Sequence, residues 1–471
     1  MSRPRGLIAA AILAFASGFG ALAVLQHRAF WTGRFDVGNL VQAVWSTARG
    51  DPLSVTGLRG DQFLRLGAHV DPVVALLAPL WWVWPDASLL LVLQACAVAL
   101  GAVPVYLLAE RALGSAYAGT GFALAYLLYP PTQWLVLDDF HPVAFATPLL
   151  LLAFVLLDRD RLLAFALIAG LACLTKEQVG LTVAAMGLVY AVRRGRRLAG
   201  LAIAFGGTLV SLVAITVVVP HFALGDGSPF SGRYRGVGGS LGGIAETMAA
   251  EPGTIVAAAT QSRDLTYVAE LVLPLLGVPL LSPLTALVAL PEIALNVLSD
   301  APTQTSVHFH YTATVIPALF AAAILGAARL RRGLGSRLVP RLLVVSATLA
   351  GVALGPLPLW RHVPFGSELG TREHVVTRHA RAARRAIALV PPGAPVSATN
   401  TIGAHLSERH RIFSFPILRE ATWIVVDTER PSYLDAAAAP VRFRRALERL
   451  ERDPRVELVA DLDGVLVLRR R

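Results

Sequence analysis

Apolar runs of about 20 residues, long enough to cross a bilayer as helices, limit most strongly what this chain of 471 residues can fold into. Short arginine-rich segments separate the runs. Hydrophobic residues make up 55% of the chain and charged residues only 15%, against about 25% charged residues in a typical soluble protein. The chain has too few polar residues to cover a soluble fold. It is therefore predicted to be an integral membrane protein.

The apolar runs predict a mainly α-helical polytopic protein with about eleven transmembrane helices. The predicted spans are 6–25, 88–109, 115–129, 142–157, 161–175, 179–192, 198–219, 265–281, 283–299, 312–328 and 340–359. The basic segments 158–161, 193–197 and 328–341 then lie in the cytoplasm, as the positive-inside rule requires. This arrangement places the N-terminus inside the cell, in a multi-pass protein of the cytoplasmic membrane.

The same hydropathy pattern predicts two domains in the chain. A membrane domain, 1–360, contains a long outside loop at 26–86 and a glycine-rich outside loop at 220–264. From residue 361 the composition becomes more polar, and residues 361–471 are predicted to form a small extracytoplasmic α/β domain. Its predicted helices are 372–389, 402–408 and 441–452, and its predicted strands are 396–399, 411–415, 422–427 and a hairpin over 456–469. Topology explains the net charge of +11, so we expect no nucleic-acid partner.

In this topology, unusual polar residues collect on the outer face of the membrane. Ionisable groups near a bilayer are costly unless they serve a site or pair with one another. The segments that carry them are far apart in sequence, which predicts an outward-facing cavity. The candidate residues are Asp36, Asn39, His69, Asp138, Asp139, His141, Lys176, Glu177, Arg233, Arg235, His310 and Tyr311.

Two of these residues suggest catalysis on a phosphate-bearing substrate. Asp36 follows the first span, where its carboxylate would act as a general base near a lipid-linked substrate, or would only cap a helix. Lys176 is the one lysine among 42 lysine and arginine residues. Its ammonium group suits a phosphate oxygen, with Glu177 orienting it, or the two residues form a local ion pair.

The remaining candidates support further hypotheses about the substrate. Asp138, Asp139 and His141 could hold a divalent metal ion, or could cap the helix that begins at Pro142. Arg233 and Arg235 could clamp a phosphate in the glycine-rich loop, or could belong to a solvated basic loop. The other four residues are predicted to contact a polar substrate: Asn39, His69, His310 and Tyr311.

Short motifs spread over nearly the whole chain resemble a family of prokaryotic polytopic membrane proteins, the one designated domain of unknown function 2079. The matching segments are Phe35-Asp36-Val37-Gly38-Asn39, His69-Val70-Asp71-Pro72, Leu127-Leu128-Tyr129-Pro130, Asp139-Phe140-His141-Pro142, Leu174-Thr175-Lys176-Glu177-Gln178-Val179-Gly180, His310-Tyr311 and Pro391-Pro392-Gly393-Ala394-Pro395-Val396-Ser397-Ala398-Thr399-Asn400. The combination is specific for the family, although each motif alone is not.

That family in turn resembles the C-type membrane glycosyltransferases. The resemblance implies many spans, polyprenyl-phosphate-linked sugar donors, and a catalytic acidic residue in the first outside loop, here Asp36. It also implies that Asp138, Asp139, Lys176 and Glu177 lie in loops that line the cavity. In one respect the chain departs from the pattern, because the acidic residue of better-known members often belongs to an acidic pair, whereas Asp36 stands alone.

The sequence therefore predicts an inverting glycosyltransferase that moves a sugar from a polyprenyl-phosphate donor to an unknown acceptor at the outer face of the cytoplasmic membrane. The chain has no Walker-type Gly-x-x-x-x-Gly-Lys segment, as expected for a lipid-borne donor. A divalent metal ion is the cofactor that the residues suggest. The alternatives are a transporter or flippase of a polar or lipid-linked substrate, and a non-catalytic membrane assembly or sensor protein.

Overall fold

The computed structural model describes residues 3–225, 231–330, 333–370, 372–437 and 440–471, and these residues are mainly helical. The α-helices are Arg3–Arg28, Asn39–Thr47, Ala78–Trp81, Ala87–Leu100, Ala102–Leu113, Ala116–Leu128, Pro130–Leu137, Ala146–Asp158, Leu162–Cys173, Val179–Arg194, Arg197–Val213, Val219–Phe222, Leu241–Ala250, Pro252–Ala259, Ser262–Val272, Pro283–Ala286, Leu290–Val297, Val315–Ala327, Val339–Leu354, Arg378–Ile387, Asn400–Ala404 and Pro440–Arg452. π-Helical turns at Arg34–Gly38, Ala214–Val218 and Leu334–Leu338 extend the helices that follow them.

Among the described residues, four helices are long and apolar enough to cross a membrane: Pro4–Arg28, Ala87–Leu113, Arg197–Phe222 and Leu334–Leu354. Six further apolar helices have 10–17 residues: Pro72–Trp81, Ala116–Leu128, Pro142–Asp158, Leu162–Cys173, Pro283–Val297 and Val315–Ala327. The multi-helix membrane class is confirmed, and the predicted number of about eleven spans is not. Apolar sequence continues through breaks in the helices, so hydropathy alone overestimates their length.

The region 283–299 shows why the spans cannot be counted from hydropathy. The predicted span is divided there into Pro283–Ala286, a 3₁₀ turn at Leu287–Ala289, and Leu290–Val297. An eight-residue α-helix rises about 12 Å, whereas the hydrocarbon core of a bilayer is about 30 Å thick. Pro283 is the first residue of one helix and Pro291 is the second residue of the other. A proline at either position is compatible with a helix start but has no N–H to bond to the preceding turn.

Close backbone approach holds part of the helical bundle together. Helix Val179–Arg194 packs along helix Arg197–Val213 with glycines at the contact. A Cβ atom added to Gly180 would lie 2.4 Å from the carbonyl oxygen of Gly207. Small residues at this contact let the two helices approach more closely than larger side chains would allow, as in other membrane bundles.

The C-terminal part contains the predicted small sheet. Strands β3 (Val396–Ala398), β4 (Ile412–Ser414), β5 (Trp423–Asp427), β6 (Val456–Leu462) and β7 (Val465–Arg470) follow a two-stranded hairpin, β1 (Ser54–Thr56) and β2 (Gln62–Leu64). The spatial order is β4-β3-β5-β7-β6. β3 is parallel to both of its neighbours, and β7 is antiparallel to both of its own. The predicted strands and closing hairpin are therefore present.

One apolar helix face covers each side of this sheet. Ala383 and Ala386 of helix Arg378–Ile387 pack with Val425 on one side, and Phe443 of helix Pro440–Arg452 packs with Val426 on the other. The first of these helices begins six residues later than predicted, because the hydroxyl of Thr377 accepts a hydrogen bond from the backbone N–H of Ala380 and caps it. The domain boundary at residue 361 stays a prediction.

A buried arginine and a buried glutamine join the segment after the first helix to the C-terminal sheet. The guanidinium of Arg34 donates hydrogen bonds to the Thr56 carbonyl at 2.8 Å, the Ile412 carbonyl at 2.7 Å and the Ser414 hydroxyl at 2.7 Å. The amide of Gln42 donates to the Arg409 carbonyl at 2.9 Å. These bonds hold the helical turn Arg34–Gly38 against the small domain.

Replacement of Gln42 by leucine is expected to destabilise this junction. The side chain of Gln42 also accepts the backbone N–H of Thr56 at 2.9 Å, so leucine leaves buried groups on both sides without partners. The expected cost is about 2–4 kcal/mol, seen as a lower midpoint of thermal unfolding of the purified protein. Gln62→Leu is the control, because half-buried Gln62 donates one hydrogen bond, to Thr56 Oγ1. Equal shifts for the two variants would contradict this account.

Candidate functional site

A cavity of about 770 Å³ lies where the segments that connect the helices meet the hairpin β1–β2. Its walls come from parts of the chain that are far apart in sequence. Cavities of this size that join apolar walls to a few polar groups are the usual form of a small-molecule site. The residues with ionisable or polar side chains that line it include Arg34, Asp36, Asn39, Arg65, His69, Asp71, His141, Lys176, Arg233, His310 and Tyr311.

Asp36 has a carboxylate that is open to this cavity. It lies in the helical turn Arg34–Gly38, and 39% of its side chain is exposed. The N-cap residues of the turn and of the helix that follows it are Gly33 and Gly38, so the structure does not give Asp36 the alternative role of a helix cap. Burial of the site raises the pKa of Asp36 to about 6, against the opposing charges of Arg65, Lys176 and Arg233.

Two stacked histidines lie beside Asp36. The rings of His141 and His310 are 3.6 Å apart, and Nε2 of His141 lies 3.6 Å from Oδ1 of Asp36. Nδ1 of His141 faces the carbonyl oxygen of Asp138 at 2.9 Å. Because a carbonyl can only accept, Nδ1 carries the proton and Nε2 is left as an acceptor. Burial lowers the pKa of both histidines, so both rings are neutral at neutral pH.

The carboxylate of Asp138 fixes His310. Oδ2 of Asp138 accepts the backbone N–H of His310 at 2.7 Å and lies 2.9 Å from its Nδ1. Burial and the nearby charge of Asp36 raise the pKa of Asp138 to about 8, while the hydrogen bond from the backbone N–H of His310 and the charge of Lys176 oppose this change. Asp138 therefore acts on two segments at once, since its carbonyl holds His141 and its carboxylate holds His310.

The side chains of Asp138, His141 and His310 offer ligand atoms within 4.8 Å of one another, which makes them the candidate metal ligands among the described residues. Their arrangement fits a metal ion poorly. A metal binds in the plane of an imidazole ring, and two stacked rings inclined by 22° cannot both point a nitrogen at one ion. The Lys176 ammonium also lies 3.4 Å from His310 Nε2 and would repel a cation. The metal hypothesis stays a prediction.

Lys176 and Arg233 bring positive charge to the cavity near the histidine pair. Nζ of Lys176 lies 5.8 Å from the ring centre of Tyr311, and Nη1 of Arg233 donates to the Tyr311 hydroxyl at 3.2 Å. The described residues place no carboxylate within 4 Å of either cation. Both cations and the tyrosine line the cavity. These groups can therefore bind an anion.

The other predicted residues support the wall of the cavity. Glu177 turns away from Lys176: its carboxylate contacts His69 Nδ1 at 3.0 Å and accepts the backbone N–H of Val70 at 3.0 Å. Burial opposes the ionisation of Glu177, but the charge and hydrogen bond of His69 and the charge of Lys176 lower its pKa to about 2. Asn39 accepts a hydrogen bond from Arg65.

Four of the predicted residues are absent from the lining of the cavity: Asp138, Asp139, Glu177 and Arg235. Asp139, the neighbour of Asp138, has a positive φ of 50°, and its carboxylate accepts the backbone N–H of Gly33 at 3.2 Å. It is outside the set of candidate metal ligands in the described chain. Arg235 is exposed and is absent from the lining of the cavity. Of the two arginines predicted to clamp a phosphate in the glycine-rich loop, Arg233 thus lines the cavity and Arg235 does not.

Sequence reasoning missed two residues that shape the site. Arg65 lies within the first loop, and its guanidinium makes a bidentate ion pair with the buried carboxylate of Asp71 at 2.6–3.0 Å. Gln94 is fully buried in helix Ala87–Leu100. Its amide donates to the Asp139 carbonyl at 2.6 Å and accepts the backbone N–H of His141 at 2.8 Å. A single glutamine in an apolar run was the available signal, because a buried amide needs partners.

The fold and the cavity define a class: a polytopic membrane protein with a polar, cation-rich cavity beside a small C-terminal sheet domain. A family model described as "Predicted membrane protein (DUF2079)" matches residues 26–467. The chain belongs to this family. No curated protein matches the chain.

Solved structures show the same fold at low sequence identity. The chain is similar to the crystal structure of ArnT from Cupriavidus metallidurans bound to undecaprenyl phosphate, with a TM-score of 0.56 and 15% identity, covering 98% of this chain and 97% of that one. The apo structure of the same protein gives a TM-score of 0.49 and 14% identity over 92% and 93%. At this identity the similarity to the lipid-bound structure shows a shared fold.

Replacement of Gln94 by leucine is expected to make the turn 138–142 more mobile. Leucine removes the acceptor of the His141 N–H and a donor to three carbonyls, those of Leu135, Val136 and Asp139. Amide hydrogen exchange of the peptide that spans this turn should therefore accelerate about tenfold or more. The matched control is Gln133→Leu, since buried Gln133 donates only long hydrogen bonds, of 3.3–3.4 Å, to another turn. Unchanged amide hydrogen exchange in Gln94→Leu would show that Gln94 does not position this turn.

Proposed function

We propose that this protein is a membrane glycosyltransferase, which transfers a sugar from a polyprenyl-phosphate donor to an acceptor hydroxyl at the outer face of the cytoplasmic membrane. The observation that carries the proposal is Asp36, a carboxylate that is open to a large cavity, forms no ion pair with an arginine or lysine among the described residues, and has Lys176 and Arg233 nearby. The fold supports it, because the similar ArnT structure contains undecaprenyl phosphate.

Asp36 has the properties of a general base. A catalytic base works best when its pKa lies near the operating pH, and burial brings the pKa of Asp36 to about 6. At pH 7 most of the carboxylate is ionised and can accept a proton. Nε2 of His141 adds a second acceptor 3.6 Å away, which can take a hydrogen bond from the substrate. Together the two groups can orient an acceptor hydroxyl.

The reaction would be a single displacement with inversion at the anomeric carbon. Asp36 takes the proton of the acceptor hydroxyl while that oxygen forms a bond to the anomeric carbon. The bond between this carbon and the phosphate oxygen breaks on the opposite side, and its electrons leave with the polyprenyl phosphate. Fixed positive groups near the departing phosphate favour this step, because they stabilise the charge that develops there.

Lys176 and Arg233 are the groups suited to the departing phosphate. The ammonium of Lys176 is fixed near the ring of Tyr311 and near His310 Nε2. Tyr311 also accepts a hydrogen bond from Arg233 and so connects the two cations. Arg65 is less suited, because Asp71 already neutralises its charge. No step in this scheme uses a metal ion.

The amide variant Asp36→Asn tests the proposal. We expect purified protein, supplied with a panel of polyprenyl-phospho-sugars and with membranes of the source organism as acceptor, to release polyprenyl phosphate. Loss of the base should slow this release by about 100-fold or more, the usual contribution of a general base. The wild-type rate should fall as the pH drops below about 6, because protonated Asp36 cannot accept a proton.

The control is Asp51→Asn, which makes the same chemical change at an exposed residue of the same loop, outside the cavity lining. It should keep the wild-type rate. A wild-type rate in Asp36→Asn would exclude Asp36 as the base. If folded wild-type protein releases no polyprenyl phosphate from any donor, the glycosyltransferase proposal fails and transport becomes the better account.

A further inference from the structure

A second pocket, of about 220 Å³, lies at the other end of the helical bundle. Helix Val179–Arg194 begins three residues after Lys176, at the candidate active site, and ends at Arg193 and Arg194 in the wall of this pocket. Its 16 residues span about 24 Å at 1.5 Å per residue. The pocket is therefore separate from the cavity around Asp36.

This pocket has an apolar wall and a polar wall, which carries Arg193, Arg194 and Asp158, the last of them paired with Arg194. Leu108, Phe154, Met186 and Leu325 are among the residues that form the apolar part. At the polar wall, Nη1 of Arg193 donates a hydrogen bond to the buried hydroxyl of Thr285 at 2.6 Å. A molecule that fits must combine a hydrocarbon portion with a negative group.

The charges around Arg193 are not balanced by carboxylates. The carboxylate of Asp158 accepts from Arg111 Nε at 2.6 Å and from Arg194 Nη2 at 3.2 Å, so two arginines already share it. Arg193 has no carboxylate within 4 Å among the described residues, and the charge of Arg329 repels it more strongly than the charge of Asp158 attracts it. An anion in the pocket would relieve this repulsion and give the guanidinium a charged partner.

We propose that this pocket binds the phosphate headgroup of an anionic membrane lipid. Arg193 is the phosphate ligand, and the apolar wall contacts the first methylene groups of the acyl chains. A lipid phosphate is favoured over free phosphate because it alone uses the apolar wall, and basic pockets between membrane helices are suited to such headgroups. The positive-inside rule explains why this end of the helical bundle is rich in arginine, but it does not explain why a pocket is present there.

Native mass spectrometry of the full chain with phosphatidylglycerol tests this site, with phosphatidylcholine as the neutral lipid. We expect wild type to retain phosphatidylglycerol more strongly, and Arg193→Gln to weaken this retention about fivefold, the effect of one arginine charge near a headgroup. The matched control is Arg197→Gln, because exposed Arg197 lies at the same end but outside the pocket. It should bind the lipid as wild type does.

Three outcomes would overturn the proposal. Equal losses in the two variants would show that only the general charge of this end attracts the lipid. Equal retention of both lipids by wild type would exclude headgroup recognition. Complete displacement of phosphatidylglycerol by millimolar inorganic phosphate would instead assign the pocket to free phosphate. The thermal unfolding midpoint of lipid-free Arg193→Gln, expected to equal that of wild type within a few degrees, distinguishes lost binding from misfolding.

Discussion

The buried hydrogen bonds of Arg34 are the constraint on which the candidate site depends. Arg34 is 2% exposed, and its guanidinium is bonded to a carbonyl of strand β1 and to two groups of strand β4. A buried guanidinium without partners would be very costly, so the small domain must dock where it can satisfy these donors. Asp36 lies two residues further along the same turn. Its position in the cavity thus follows from the position of Arg34.

Desolvation then sets the protonation states of the groups in the cavity. Burial raises the pKa of the Asp36 carboxyl into the range where a base is useful, while Lys176 and Arg233 keep enough positive charge nearby for it to ionise. The histidine pair is held neutral by burial, and Asp138 aligns both rings. The site therefore combines proton acceptors and anion-binding groups in the wall of one cavity.

Much of this organisation could be predicted from the sequence. Polar residues at the ends of apolar runs, such as Asp36, Lys176 and His310, are conspicuous because they are costly there, and the structure places all three at one cavity. The strands of the small domain also followed from alternation and turn residues. The separate small domain could therefore be predicted without knowing where the cavity lies.

Other features depend on geometry that the sequence does not express. Asp138 and Asp139 are adjacent and chemically equal, and the positive φ of Asp139 directs their carboxylates to different partners. Gln94 resembles any polar residue tolerated in an apolar helix until its four backbone partners are seen. The predicted number of spans is not confirmed for a similar reason, since hydropathy continues through helix breaks such as that at Leu287–Ala289.

The most direct test of the central claim is the binding of undecaprenyl phosphate to the purified full chain, compared among wild type, Lys176→Arg and Lys176→Gln. If the cavity holds a lipid phosphate beside Asp36, Lys176→Gln should weaken binding about tenfold, the effect of one charged hydrogen bond, and Lys176→Arg should retain most of it. Equal binding by all three proteins, or no binding by folded wild type, would contradict the assignment of this cavity to a polyprenyl-phosphate donor.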